Sequence, residues 1–133
     1  MPHVLLATDA DWIRDDISAA LTDPDTTVSR VHTGAEVLPA VEALRPDLVI
    51  LDLQIGNMGG IATTYALRLE AGSGRIDPVR ILVLLDRADD RFLARTAQAD
   101  GWMVKPLDAF RIRRAAKALF AGERFDEGVT AAT

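Results

Sequence analysis

Short aliphatic runs alternate with longer amphipathic stretches along the whole chain. Val4-Leu5-Leu6-Ala7 reads as a strand, and Asp11 to Leu21 as a helix with Ile13, Ile17, Ala20 and Leu21 on one face. Thr26 to Val31 is a second, less apolar strand. Thr33-Gly34 opens a helix to about Leu44 that gathers Val37, Leu38, Val41 and Leu44. Arg45-Pro46-Asp47 stops it, because the residue before a proline disfavours helical backbone. Leu48 to Leu51 is apolar at every position, as a strand buried on both faces of a parallel sheet should be. Gly60 to Ala71 is a third helix, ended by Gly72-Ser73-Gly74, and Ile81 to Leu85 is again uniformly apolar. Asp89 to Ala99 reads as a fourth helix, Trp102-Met103-Val104 as a short strand, and Leu107 to Phe120 as a last helix. From Ala121 to Thr133 there is no periodicity, and a frayed tail is expected.

Five strands alternating with five helices predict an α/β fold: a five-stranded parallel sheet, doubly wound, with right-handed crossovers on both faces. The loops after the first, third, fourth and fifth strands then gather at one edge. No repeat or linker marks a second domain, so the expected organisation is one domain over residues 1–121 and a flexible tail over 122–133.

Composition narrows the function. With 133 residues, 49% of them hydrophobic, there is material for one proper core. The absence of cysteine excludes disulfides, thiolate metal sites and cysteine nucleophiles. No apolar run approaches the ~20 residues that span a bilayer, and no stretch reads as a signal peptide; a cytoplasmic protein is expected. The net charge of −5 argues against a broad nucleic-acid face. The one basic cluster, Arg111, Arg113, Arg114 and Lys117, reads as a solvated helix face.

The candidate chemistry lies where the strands end. The third strand ends in Asp52 and runs into Leu53-Gln54-Ile55-Gly56-Asn57-Met58-Gly59-Gly60, a loop that leaves the carboxylate accessible at the carboxyl edge, where α/β sheets present reactive groups. The first strand ends in Thr8-Asp9-Ala10-Asp11, the fourth in Leu85-Asp86 and the fifth in Lys105-Pro106. Carboxylates at neighbouring strand ends repel unless a cation separates them, and an all-oxygen donor set suits Mg²⁺. A lysine at the same edge offers a point charge to a phosphoryl oxygen. The chemistry that fits is attack by Asp52 on phosphorus to give an acyl phosphate.

Asp9, Asp52 and Lys105-Pro106, in this order after these strands and with the Asp52 loop, resemble the receiver domain of two-component response regulators over about residues 3 to 121. The resemblance implies a CheY-like, flavodoxin-like fold and a stand-alone signalling unit that is a phosphoacceptor rather than an enzyme. It implies Asp52 as phosphoacceptor, Asp9 and Asp52 as Mg²⁺ ligands, Gln54 as a ligand through its main-chain carbonyl, Lys105 as the phosphoryl contact and a cis Lys105-Pro106 bond. Implied partners are a sensor histidine kinase or phosphotransfer protein and an output protein that the sequence does not name. Output is expected through the face of the last two helices and the fifth strand, and a homodimer is allowed.

Two departures stand out. The family usually carries two adjacent acids after the first strand; here Thr8 replaces the first, and Asp11 or the Thr8 hydroxyl is left to help through water. The fourth strand usually ends in Ser or Thr; Leu85 has no hydroxyl, and Asp86 adds a charge that opposes a phosphoryl group. Trp102 stands at the place of the family's switching aromatic and is expected to be packed in place. Trp12 is expected to pack, and His3 and His32 receive no role. Two other functions compete: a receiver-like interaction module independent of phosphorylation, and a phosphatase resembling haloacid dehalogenases with Asp9 as nucleophile and Asp11 as acid/base.

Overall fold

The computed structural model describes residues 2–127. Five strands form the body of a parallel sheet: β1 (His3–Ala7), β2 (Thr27–Val31), β3 (Leu48–Asp52), β4 (Arg80–Leu85) and β5 (Gly101–Val104). The helices between and after them are α1 (Asp11–Leu21), α2 (Val37–Leu44), α3 (Gly60–Gly72), α4 (Arg91–Thr96) and α5 (Ala109–Phe120). A two-residue strand, β6 (Phe125–Asp126), pairs parallel with β5, so the sheet order is β2-β1-β3-β4-β5-β6. The parallel sheet is therefore as expected, but among the described residues it has six strands rather than five, because Phe125–Asp126, within the expected frayed tail, form β6. Residues 128–133 of that expected tail lie outside the described residues.

The apolar strands build two cores because successive side chains point to opposite faces. Leu48 and Ile50 join Leu82, Leu84 and Met103 beneath Ile13 and Ile17 of α1 and Ile112 and Leu119 of α5. Val49 and Leu51 join Val83, Leu85 and Trp102 beneath Val37 and Val41 of α2 and Leu67 of α3. Every residue of β3 is buried, and each such aliphatic side chain contributes ~1.5–3 kcal/mol by leaving water. One-residue slips would send each core to the wrong face, so the register is fixed, with Ala7 opposite Leu51 and Asp52 opposite Leu84.

Helix ends follow local chemistry. Arg45 closes α2 in a left-handed conformation (φ 47°) just before Pro46. Gly60 starts α3 against the Asp52 carbonyl: a Cβ there would lie 2.6 Å from that oxygen, so only glycine lets the helix begin so close to the strand it leaves. The fourth helix is shorter than its sequence pattern suggests. A 3-10 turn occupies Ala88–Asp90, α4 keeps six residues, and Gln98 at φ 66° turns the chain towards β5.

Candidate phosphoacceptor site

Asp52 ends the most buried strand and is itself only 2% exposed, so the loop does not leave its carboxylate accessible as the sequence suggests. A carboxylate removed from water needs partners for both oxygens, and this one has them. Oδ1 accepts from the Lys105 ammonium at 2.6 Å and from the Gln54 main-chain N–H at 3.2 Å. Oδ2 accepts from the Thr8 hydroxyl at 2.9 Å. The Thr8 oxygen in turn accepts from the N–H of Ala10, just ahead of α1, at 3.1 Å. The loop beyond Asp52 bends through Asn57 (φ 49°) and Met58 (φ 81°), a left-handed pair that carries the chain back to Gly60.

Lys105 reaches the same point from the end of β5, where the Lys105–Pro106 bond is cis, as the resemblance implies. Its ammonium also donates to Asp86 Oδ1 at 2.9 Å, bridging the ends of β3 and β4. Burial alone would push the ammonium towards its neutral form, but the hydrogen bonds and fields of Asp52 and Asp86 reverse this and hold its pKa above the ordinary 10.5. Burial likewise opposes ionisation of Asp86, and the hydrogen bonds of Lys105 and Gln54 with the Lys105 charge outweigh it, leaving this carboxyl below the ordinary 3.8.

The β1 side is built differently. Asp9 is exposed and its carboxylate faces the loop at Gly56. Asp11 does not stand in for the acid that Thr8 replaces, because it pairs with Arg30 Nη1 at 2.8 Å. The Arg30 hydrogen bond is the main reason that the Asp11 carboxyl lies below its usual range. Arg30 also donates from Nε to the Thr8 carbonyl at 2.9 Å, so one guanidinium ties β2 to both ends of this short loop. Nor does Thr8 act merely through water: its hydroxyl bonds Asp52 directly.

The donor set suits a hard cation. Asp9, Asp52 and the Gln54 carbonyl offer two carboxylates and a neutral oxygen, which fits Mg²⁺ that keeps several of its waters. It is not a cage: among the described residues no cluster of three or more His, Cys, Asp or Glu residues could hold a metal. Leu85 is fully buried, in the same apolar cluster as Trp102, and brings no hydroxyl to the site. Trp102 is also fully buried, whereas Trp12 is 49% exposed and not packed as expected.

Three roles escaped sequence reading. Asp86 was visible only as an opposing charge, not as a partner for Lys105. Arg30 left one faint signal, a lone cation near the end of Thr27-Val28-Ser29-Arg30-Val31. Arg111 belonged to a cluster expected to be solvated, yet it donates to Val104 O at 2.8 Å and to Pro106 O at 2.7 Å, on either side of Lys105.

A family model described as the response regulator receiver domain matches residues 4–117. The response regulator GacA of Pseudomonas viridiflava is 29% identical over 130 residues, which are 94% of this chain and 58% of that protein. The nitrate/nitrite response regulator protein NarL of Escherichia coli is 30% identical over 122 residues, 90% of this chain and 55% of that one. The chain thus spans about half the length of these relatives. In structure it resembles the chemotaxis response regulator CheY4 of Vibrio cholerae, with a TM-score of 0.78 at 25% identity over 90% of this chain and 98% of that one. Among the described residues no helix is long and apolar enough to cross a membrane. With the family model covering most of its length, this chain belongs to the receiver domains of two-component response regulators, which are phosphoacceptor signalling modules rather than enzymes.

Proposed function

We propose that this chain accepts a phosphoryl group on Asp52 from the phosphohistidine of a histidine kinase or phosphotransfer protein and signals by protein contact, with about residues 3–121 as the receiver unit. The observation that carries this reading is the Lys105 ammonium held 2.6 Å from Asp52 Oδ1 across 53 residues of sequence. An Asp52 oxygen attacks phosphorus, the P–N bond of the donor breaks, and its electron pair leaves on the imidazole, which takes a proton from solvent. Asp52 becomes an acyl phosphate. The Gln54 N–H and the Thr8 hydroxyl orient the carboxylate, and Lys105 moves its charge onto a phosphoryl oxygen as the bond forms. Asp9, Asp52 and the Gln54 carbonyl would hold Mg²⁺, which supplies further charge neutralisation when bound.

Incubation with Mg²⁺ and a small phosphodonor, followed by intact-protein mass, tests the reading: one base-labile phosphoryl group is expected, absent from Asp52→Asn. A second reading is favoured by Leu85 and by the Asp86–Lys105 pair, which satisfies the lysine before any phosphoryl group arrives. In that reading the domain docks its partner in one conformation and needs no phosphoryl group. It predicts no adduct and partner binding that Asp52→Asn leaves intact. The phosphatase alternative finds no support at Asp11, whose carboxylate is held by Arg30 rather than poised as an acid/base.

A further inference from the structure

The far edge of the sheet is closed by the chain itself. Beyond α5 the backbone turns at Gly122 (φ 83°) and lays Phe125 and Asp126 beside Gly101 and Trp102. An open β5 edge would present unpaired N–H and C=O groups to any passing strand, and β6 removes that opening.

The attachment is uneven. The two main-chain bonds at the ends of the ladder are long, Phe125 N–H to Asp100 O at 3.3 Å and Glu127 N–H to Trp102 O at 3.4 Å. Side-chain bonds around Glu127 are short. The Trp102 indole N–H donates to the Glu127 carbonyl at 2.6 Å, and the Val104 N–H donates to Glu127 Oε1 at 2.8 Å. Arg111 bonds both Glu127 oxygens, Nε to Oε2 at 2.8 Å and Nη2 to Oε1. The guanidinium groups of Arg95 and Arg124 both lie over the Trp102 ring, at 5.7 and 6.0 Å from its centre. A two-residue ladder is weak, and a charge-assisted fork is strong. The hold is therefore concentrated on one carboxylate.

That carboxylate is also connected to the phosphoacceptor site. Arg111, while holding Glu127, donates to the carbonyls of Val104 and Pro106 and so braces the main chain on both sides of Lys105.

We propose that residues 124–127 form a detachable strap that closes the β5 edge to other chains, and that Glu127 is a positioning residue which, through Arg111, sets the Lys105 ammonium against Asp52. The role of Lys105 in phosphoryl transfer rests on the function proposed above; the strap and its brace do not.

Two variants of the full chain separate the parts. Glu127→Gln removes the charge and keeps the shape. Gly101→Ala places a Cβ 2.5 Å from the Phe125 carbonyl oxygen and pushes the strap away without altering it or the site. NMR hydrogen exchange is expected to quicken about ten-fold or more at the Trp102 indole and the Val104 amide in both variants, while β3 amides keep their protection. The side-chain carboxyl carbon resonance of Asp52, which reports the Lys105 ammonium 2.6 Å from its Oδ1, is expected to move in both, a change that a merely stabilising strap would not cause. Unchanged exchange in both variants overturns the strap. Faster exchange with an unmoved Asp52 carboxyl resonance overturns the positioning role of Glu127. Neither readout uses a phosphodonor, so a wild-type chain that takes no phosphoryl group refutes the proposed function and leaves these results standing.

Discussion

The two flanks of Asp52 meet it with different chemistry. On the β1 flank stands Thr8, a buried hydroxyl; on the β4 flank stands Asp86, a second carboxylate, just past the apolar Leu85. The consequence is electrostatic. Thr8 donates to Asp52 instead of repelling it, and Asp86 draws the Lys105 ammonium towards β4. Of the three carboxylates at this edge, Asp52 and Asp86 share the lysine, while Asp9 stands exposed and faces Gly56. Asp52 is thus met by a neutral hydroxyl from β1 and by a lysine that it shares with a second carboxylate on the β4 flank.

The largest expected break in this arrangement is Lys105→Met. It leaves Asp52 and Asp86 facing each other without their cation, and stability by urea denaturation should fall by about 2–3 kcal/mol. Asp86→Asn in the same background should recover part of that loss. Thr8→Asp puts an acid on the β1 flank and tests the contrast from the other side. Without metal it should lower stability by about 1–2 kcal/mol through repulsion of Asp52. Mg²⁺ should then bind about ten-fold more tightly than to wild type, read from the fluorescence of the exposed Trp12. Asp86→Ala frees Lys105 from its second partner, and phosphoryl uptake from a small donor should quicken about three-fold or more.

The smallest expected effect is on pH dependence. Asp86 titrates below its ordinary 3.8 when folded, so its contribution is present above 3.8 and is lost as pH falls through the lower folded value. Lys105 titrates above 10.5 when folded, so its contribution is full below 10.5 and is lost as pH rises through the higher value. Urea midpoints against pH should therefore fall on both limbs, and Asp86→Ala should flatten the acid limb.

The centre of the molecule was legible from sequence and its rim was not, for a physical reason. β3 and β4 declare themselves because burial on both faces demands an apolar residue at every position. Asp52 and Lys105 follow because strand ends of a parallel sheet converge. The fourth helix was read too long because its polar–apolar pattern continues through residues where the backbone has already left the helix, at Gln98. β6 has no pattern to read, since two residues held by Glu127 and Arg111 form no periodicity. Arg30 and Arg111 were missed for the same reason. A long side chain reaching across elements acts where its head arrives, not where its position in sequence suggests.

The contrast between the two flanks matters for function only if Asp52 is the phosphoacceptor. The most direct measurement is intact-protein mass after exposure to Mg²⁺ and a small phosphodonor, with wild type, Asp52→Asn and Asp86→Ala side by side. One phosphoryl group on wild type, faster uptake in Asp86→Ala and none in Asp52→Asn is the expected result. No adduct on wild type and Asp86→Ala alike, or an adduct that survives in Asp52→Asn, would contradict the assignment of Asp52.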